Sequence, residues 1–168
     1  MTTFEQFRAL PLDKSLLALE EGDPGIRYFC YPEGAAAIGY EGAILYCFLE
    51  GYGGTVFACN PESCGDVYVY PLAADFSDFL RLILAYGSAN PVEQTSWMNR
   101  EQFAAHLAEE AALRTPEQQA ALDLIAETFS LTPMEDPFAY CKALQAGFDG
   151  SRIVYTDEYY DALGIQRN

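Results

Sequence analysis

The chain has 168 residues, is 51% hydrophobic, and has 25 Asp and Glu against nine Lys and Arg, which gives a formal net charge of −16. This length and composition predict a single domain, residues 1–168, with one packed core, and they exclude intrinsic disorder. The negative field repels phosphate groups, so we expect no nucleic acid and no anionic membrane as a partner, and we expect a basic protein instead. A simpler alternative is that the charge only keeps the folded chain in solution.

The first half of the chain is predicted to form strands. Residues 3–21 have a helical apolar pattern that is interrupted near Pro11 and ends at the turn of residues 22–25. Five strands are predicted at short apolar segments separated by turns, Ile26–Tyr31, Ala35–Tyr40, Ala43–Glu50, Thr55–Cys59 and Val67–Tyr70. Connections this short join antiparallel strands, because a parallel crossover needs about a dozen residues or more.

The second half is predicted to be helical. Four helices are indicated by an N-cap residue and an apolar stripe, at residues 75–87, 99–114, 115–129 and 136–146. Residues 152–155 have the pattern of a late strand, and a short helix is predicted at 157–163. Strands followed by helices predict an α+β fold, in which an antiparallel sheet of five to six strands (residues 26–70 plus the late strand) is flanked by helices mostly from the C-terminal half.

The termini and the cysteines bear on the cellular location. Residues 1–10 contain Glu5 and no apolar stretch, unlike a secretory signal. The longest apolar run, Ala43–Leu49, is seven residues, whereas a membrane span needs ~20. The five cysteines make an odd count, which favours reduced thiols over a disulfide framework. We therefore expect a cytoplasmic protein without a membrane segment.

The sequence patterns of catalytic, metal and cofactor sites are incomplete. His106 is the single histidine, and no Gly-x-Ser-x-Gly elbow supplies it with a nucleophile. Cys59 and Cys64 have a spacing found in zinc sites, but no second ligand pair accompanies them. Residues 51–55 lack the Lys of a phosphate-binding loop, so a hairpin turn accounts for their glycines. We expect no catalytic residue, no metal and no cofactor; an enzyme would need a deep pocket lined by carboxyl groups with shifted pKa values.

The alternation of side chains along two predicted strands, here called parity, indicates a binding surface. Tyr46 and Glu50 share one face of a predicted strand, and Asp66, Tyr68 and Tyr70 share one face of another. If the two faces coincide, these five residues form an acidic, aromatic patch of the kind that binds proteins. The alternative is that helices cover this face and the tyrosines belong to the core. The helices of residues 88–168 either serve only as this cover or add partner contacts through Trp97 and residues 157–161.

Three segments resemble the SUKH superfamily, which includes yeast glucan-synthesis regulators and many bacterial immunity proteins. Leu-Pro-Leu-Asp at residues 10–13, followed by Leu16, Leu17 and Gly22, is similar to the family's opening helix and turn. Residues 55–61 with 67–70 resemble its central strand pair, and residues 73–80, ending in Phe-Ser-Asp-Phe-Leu, resemble its strand-to-helix junction. The resemblance covers about residues 10–86.

The resemblance implies an α+β binding module without a cofactor, commonly an immunity protein that blocks a toxin. Nuclease toxins are often basic, which fits an acidic inhibitor. The expected function is therefore a non-enzymatic protein-binding module that neutralises a basic toxin. The alternative is an intracellular regulatory or scaffold domain of the cell-wall-synthesis-regulator type, without a toxin partner.

Overall fold

A computed structural model describes residues 1–167 and gives an α+β fold, as predicted. Within these residues, one antiparallel sheet of four strands has the order β1-β2-β3-β4. The strands are β1 (Ala36–Glu41), β2 (Ile44–Phe48), β3 (Val56–Cys59) and β4 (Val69–Ala73). Each strand pairs with the next along the chain, which the short turns required, and β1 and β4 form the two edges.

Seven α-helices and two 3₁₀ helices surround the sheet in residues 1–167. The α-helices are α1 (Thr3–Arg8), α2 (Phe76–Tyr86), α3 (Ala89–Gln94), α4 (Arg100–Leu113), α5 (Pro116–Phe129), α6 (Pro137–Ala146) and α7 (Asp157–Leu163). The 3₁₀ helices are Lys14–Leu17 and Thr95–Trp97. The four long C-terminal helices predicted from the sequence are confirmed, because each begins at the N-cap that the sequence indicated.

These N-caps satisfy backbone donors that the first helical turn leaves unpaired. Asp75 accepts a hydrogen bond from the Asp78 N–H at 2.8 Å, and Asn99 accepts one from the Gln102 N–H at 2.8 Å. At the other end of α2, Gly87 has a φ of 97°. Only glycine adopts this left-handed conformation without strain, so the chain turns there into α3.

Two predicted strands are wrong. Residues 26–31 form turns, and Cys30, Tyr31 and Pro32 are buried one after another, whereas a half-buried strand would alternate. The segment lies over one face of the sheet instead of extending it. Residues 152–155 also form no strand; one backbone hydrogen bond, from the Glu33 N–H to the Val154 C=O at 2.9 Å, joins them to the loop before β1. The sheet therefore has four strands in the described chain, not five to six.

Both faces of the sheet are covered. On one face, Tyr46, Val56, Ala58, Tyr70 and Leu72 pack against α2, α3 and α5. On the other face, Leu45, Cys47, Phe57, Cys59 and Val69 pack against the loop of residues 29–31 and the segment 148–159. The helices thus cover one side, and the second side is closed by irregular chain and the start of α7. Within residues 1–167, both faces of the sheet therefore pack against other parts of the chain.

α3 and the 3₁₀ helix that follows it are not predicted from the sequence. Ser88 precedes α3 in an extended conformation, and Pro91 lies in its first turn, where a missing N–H costs no hydrogen bond. Both features are helix-start signals. The helix has only six residues, which is too short for an apolar period to identify it. No helix within residues 1–167 is long and apolar enough to cross a membrane.

The burial of the cysteines predicts their reactivity. Cys64 is exposed, whereas Cys30, Cys47, Cys59 and Cys141 are buried. Burial raises the pKa of Cys30 and of Cys141 to about 12 and also raises the pKa of Cys59. A protonated, buried thiol is unreactive.

The native protein should therefore react with Ellman's reagent at one thiol, and Cys64→Ser should abolish the fast reaction. Fast labelling of a second thiol in the native state would contradict this packing.

Candidate functional site

Tyr46 and Tyr70 are buried in the core, so they do not belong to an exposed patch. Tyr46 of β2 and Tyr70 of β4 lie on either side of Ala58 in β3, in one row across the sheet. Tyr46 is 0% exposed and Tyr70 is 4% exposed. The small Ala58 side chain leaves room for both rings beneath α3. The alternative that helices cover this face is the correct one for these two tyrosines.

A buried acidic side chain explains why the Tyr70 hydroxyl group is tolerated there. Glu93, on α3, is 0% exposed. Its Oε1 accepts hydrogen bonds from Tyr70 Oη, from Trp97 Nε1 at 2.8 Å and from Asn60 Nδ2 at 3.2 Å. Its Oε2 accepts one from Gln94 Nε2 at 2.7 Å. A buried carboxyl group is stable only when its oxygens are paired in this way.

A cavity of about 470 Å³ opens beside the outer edge of β4, next to this network. Its size lies within the range of small-ligand and peptide pockets. Its walls come from β4, the 3₁₀ helix Thr95–Trp97, the end of α6 and the segment before α7. The lining residues are Asp66–Pro71, Ser96, Trp97, Gln145, Phe148, Gly150, Ile153 and Tyr155. We call this cavity the β4 groove.

The Glu93 network holds the groove in shape. Tyr70 and Trp97 both line the groove and both donate to Glu93 Oε1. Their rings meet edge to face, with centroids 5.0 Å apart. On the opposite wall, Tyr155 stacks on Tyr159 with ring centroids 3.7 Å apart. Two rigid aromatic walls therefore flank the strand edge.

The groove is apolar in its walls and acidic at its mouth. Burial, and then the neighbouring Glu93 charge, raises the pKa of Tyr70 far above its ordinary value. Burial likewise raises the pKa of Tyr155. Both hydroxyl groups therefore stay neutral hydrogen-bonding groups at physiological pH. Asp66 is exposed and is the one acidic side chain that lines the groove in the described chain.

The structure separates the five residues predicted to bind a partner. Asp66, Tyr68 and Tyr70 line the β4 groove, and Tyr68 packs edge to face on Phe29 with centroids 5.1 Å apart. Glu50 is exposed at the far side of the sheet, where it lines a different cavity with Glu33 and Arg152. Tyr46 lies in the core. Asp66 and Tyr68 precede β4, and Tyr68 and Tyr70 pack in clusters on opposite faces of the sheet, so the three share a cavity but not one strand face; the buried Tyr46 and the distant Glu50 do not join them in a common patch.

Several groove residues were not found from the sequence. Trp97 was a candidate contact residue, but nothing in the sequence indicates that Glu93, four residues earlier, accepts a hydrogen bond from its indole. Gln145 is also without a signal, although its Nε2 donates to the Pro71 C=O at 3.3 Å and to Ser96 Oγ at 2.7 Å. The two Gln145 contacts join residues that are 74 and 49 positions apart in the chain, so no local sequence pattern reveals them.

A second cavity, of about 450 Å³, is polar and lies at the other side of α3. It is lined by Glu41 and Glu110 together with Ser88, Asn90 and Gln118, among others. Glu41 Oε1 accepts from Tyr46 Oη at 3.0 Å, and Glu41 Oε2 accepts from Asn90 Nδ2 at 2.9 Å. Burial, followed by the charges of Glu93 and Glu110, raises the pKa of Glu41. Because both Glu41 oxygens accept hydrogen bonds from neighbouring side chains, a structural role is enough to account for this carboxyl group.

Metal ligands and known relatives offer no further guide. Across residues 1–167, no group of three or more His, Cys, Asp or Glu side chains is placed to hold a metal ion. Comparisons with protein-family models, with curated proteins and with solved structures found no match to this chain. The candidate site therefore rests on its own geometry, and the resemblance to the SUKH superfamily stays a prediction from the residues.

Replacing Glu93 should destabilise the fold strongly. Glu93→Ala leaves the buried donors of Tyr70, Trp97 and Asn60 without an acceptor, and we expect a loss of roughly 3 kcal/mol or more in the free energy of unfolding. Tyr70→Phe removes one donor and keeps the acceptor, so it should cost only about 1 kcal/mol. Urea unfolding of both variants measures the difference, and equal losses would show that the network is not the main stabilising feature.

The raised pKa of Glu41 predicts a pH dependence of stability. The folded state holds this proton more tightly than the unfolded chain, whose ordinary value is 4.5. This contribution to stability is full below that value and is lost as pH rises through the folded pKa. Glu41→Gln should therefore gain stability relative to wild type as pH rises above 4.5. The exposed Glu109→Gln removes the same charge and is the control; an identical pH profile for the two variants would refute the assignment.

Proposed function

We propose that this chain is a non-enzymatic module that binds a basic protein, and specifically that it neutralises a basic toxin, as the immunity proteins that it resembles do. The observation that carries the proposal is the excess of acidic side chains without cationic partners. The chain has 25 Asp and Glu against nine Lys and Arg. An excess of this size favours association with a positively charged surface and raises the rate of encounter.

The described structure adds that little of this charge is neutralised internally. Three ion pairs occur among residues 1–167, Arg81 with Asp78, Arg100 with Asp136, and Arg167 with Asp157. Exposed acidic residues are present on α1, α4, α5 and α7 and on the loops around the sheet. A basic partner therefore meets an attractive field from most directions, and a local feature must select the contact surface.

The β4 groove is the feature that best meets that need. It combines aromatic side chains, a few polar groups and an acidic residue at its mouth, which is the composition of protein-recognition sites. The polar cavity at Glu41 lacks exposed aromatic side chains and has its acidic oxygens engaged in the core. The geometry thus supports binding at the β4 groove better than chemistry at the Glu41 cavity.

Affinity capture tests the proposal. The tagged protein is exposed to lysate of its own host at about 50 mM and about 300 mM salt, concentrations between which surface charge is increasingly screened. We expect one basic protein to be retained at low salt and weakened at high salt. Purified partner and protein then give Kd values by calorimetry, and a toxin activity of the partner that is suppressed by stoichiometric binding would establish neutralisation.

Other outcomes separate the alternatives. Retention of housekeeping proteins of cell-wall synthesis, with no toxin among them, would favour the regulatory or scaffold function. Retention of an acidic or salt-insensitive partner, or of none, would overturn the proposal of a basic partner. Asp66→Asn should weaken the interaction more than Glu127→Gln, since both remove one charge and only Asp66 lines the groove.

A further inference from the structure

We propose that the β4 groove takes an extended segment of the basic partner, which pairs with the backbone of Val69 as an added strand and places a Lys or Arg side chain beside Asp66. This inference rests on the proposed function and names its contact site. Strand addition of this kind obtains affinity from main-chain hydrogen bonds at a free sheet edge and specificity from side-chain pockets.

The hydrogen-bond pattern of β4 shows which backbone groups are free. The Asn60 N–H donates to the Tyr68 C=O at 2.8 Å, so residues 60 and 68 form a hydrogen-bonded pair with the same register as Cys59 with Val69. Such pairs alternate with pairs that point their N–H and C=O groups outward. Val69 is therefore an outward residue, and it lines the β4 groove.

The next outward residue confirms this alternation. Pro71 has no N–H, and its C=O accepts a hydrogen bond from Gln145 Nε2 across the edge. Proline is tolerated in a sheet only where the missing N–H would point away from the neighbouring strand. The Val69 N–H and C=O point to the same side, yet no backbone hydrogen bond from a turn or loop within residues 1–167 reaches them.

Burial makes these free groups informative. Val69 lines the groove and is only 4% exposed, so its outward N–H and C=O have little contact with solvent. Buried backbone groups are almost always paired, because an unpaired one costs about 1–3 kcal/mol. A ligand that offers one C=O and one N–H at strand spacing satisfies both. The backbone of one residue in an extended segment has that geometry.

The ends of the groove define the length of the segment. On one side, Gln145 occupies the Pro71 C=O, and on the other, Ser63 Oγ donates to the Val67 C=O at 2.6 Å. In the described part of this edge, the N–H and C=O of Val69 and the N–H of Val67 are the backbone groups left for pairing. The docked segment is therefore short, about three residues in contact with β4.

Charge selects the kind of segment. Asp66 lies at the mouth of the groove. Arg152 directly precedes the groove residue Ile153 in the chain, but its guanidinium donates to the Gly51 C=O at 2.6 Å and lies over the Tyr52 ring. The aromatic walls accept the aliphatic stem of a long side chain, and Asp66 pairs with its charged end. Lys or Arg fits this combination, whereas Glu or Asp would be repelled.

A pair of variants at one position tests the backbone contact. Val69→Pro removes the outward N–H and leaves the ladder to β3 intact, whereas Val69→Ala shortens the side chain and keeps the N–H. The probe is the blocked peptide acetyl-Val-Lys-Val-Lys-Val-Lys-amide, titrated into the full chain and followed by amide NMR shifts. We expect shifts at residues 66–70 and Trp97, about tenfold weaker binding to Val69→Pro, and near-wild-type binding to Val69→Ala.

A modified peptide keeps the test decisive if Val69→Pro does not fold. The same peptide methylated at every backbone nitrogen cannot donate to the Val69 C=O, and it should bind wild type at least about tenfold more weakly. Equal binding of the methylated peptide, equal binding of an analogue with Glu in place of Lys, or shifts outside the groove would overturn the inference. The inference would also be overturned if millimolar peptide caused no shifts, or if the shifts at the groove came from self-association of the protein and not from peptide binding.

The failure of this inference is distinguishable from failure of the proposed function. If the basic partner found by affinity capture binds Val69→Pro as tightly as Val69→Ala, the docking site is wrong and the protein-binding function stands. If no basic partner exists but the peptide binds as expected, the groove recognises extended basic segments and the toxin-directed function is wrong.

Discussion

The carboxyl group of Glu93 is the contact on which the candidate site depends. It joins α3, the turn after β3, the edge strand β4 and the 3₁₀ helix that carries Trp97, through hydrogen bonds that all end on one buried side chain. The cost of removing this group from water is offset only while every donor is in place. The same arrangement therefore fixes the fold of the β3–β4 region and the spacing of the groove walls.

The second constraint is that the four-stranded sheet has no uncovered face. α2, α3 and α5 pack on one side, and an irregular loop together with residues 148–159 packs on the other. Recognition through a flat sheet surface, which the tyrosine pattern suggested, is therefore unavailable to this fold. The remaining places where backbone and aromatic groups meet a partner lie along the edges, and the β4 groove lies at one of these edges.

Local signals in the sequence predicted local structure well. Asp75, Asn99, Thr115 and Asp136 marked helix starts because an N-cap acts within three residues of the chain. The prediction of a strand at residues 26–31 failed because a short apolar run has the same composition in a strand and in a buried loop. Only the consecutive burial of Cys30 and Tyr31, which is a property of the packed chain, separates the two.

The site was less accessible to sequence reasoning than the fold. Parity placed Asp66, Tyr68 and Tyr70 on one face of a predicted strand; all three line one cavity, but β4 begins only at Val69, and Tyr68 and Tyr70 pack on opposite faces of the sheet. It could not tell that α3 covers Tyr46 and Tyr70, nor that Glu93 accepts a hydrogen bond from Tyr70, since a buried acidic residue looks like a surface residue in a sequence. The resemblance to the SUKH superfamily ends near residue 86 and so did not extend to α3 or Trp97.

Pro71 has a consequence for the behaviour of the protein at high concentration. Open sheet edges pair readily with one another, which leads to aggregation, and proteins interrupt them with proline, charge or covering chain. Pro71 and α6 interrupt the β4 edge, while the backbone of Glu20 pairs with Tyr40 and occupies part of the β1 edge. The opening at Val69 is too short to template a growing sheet. The chain can thus keep a site for one extended segment while resisting stacking of its own sheets.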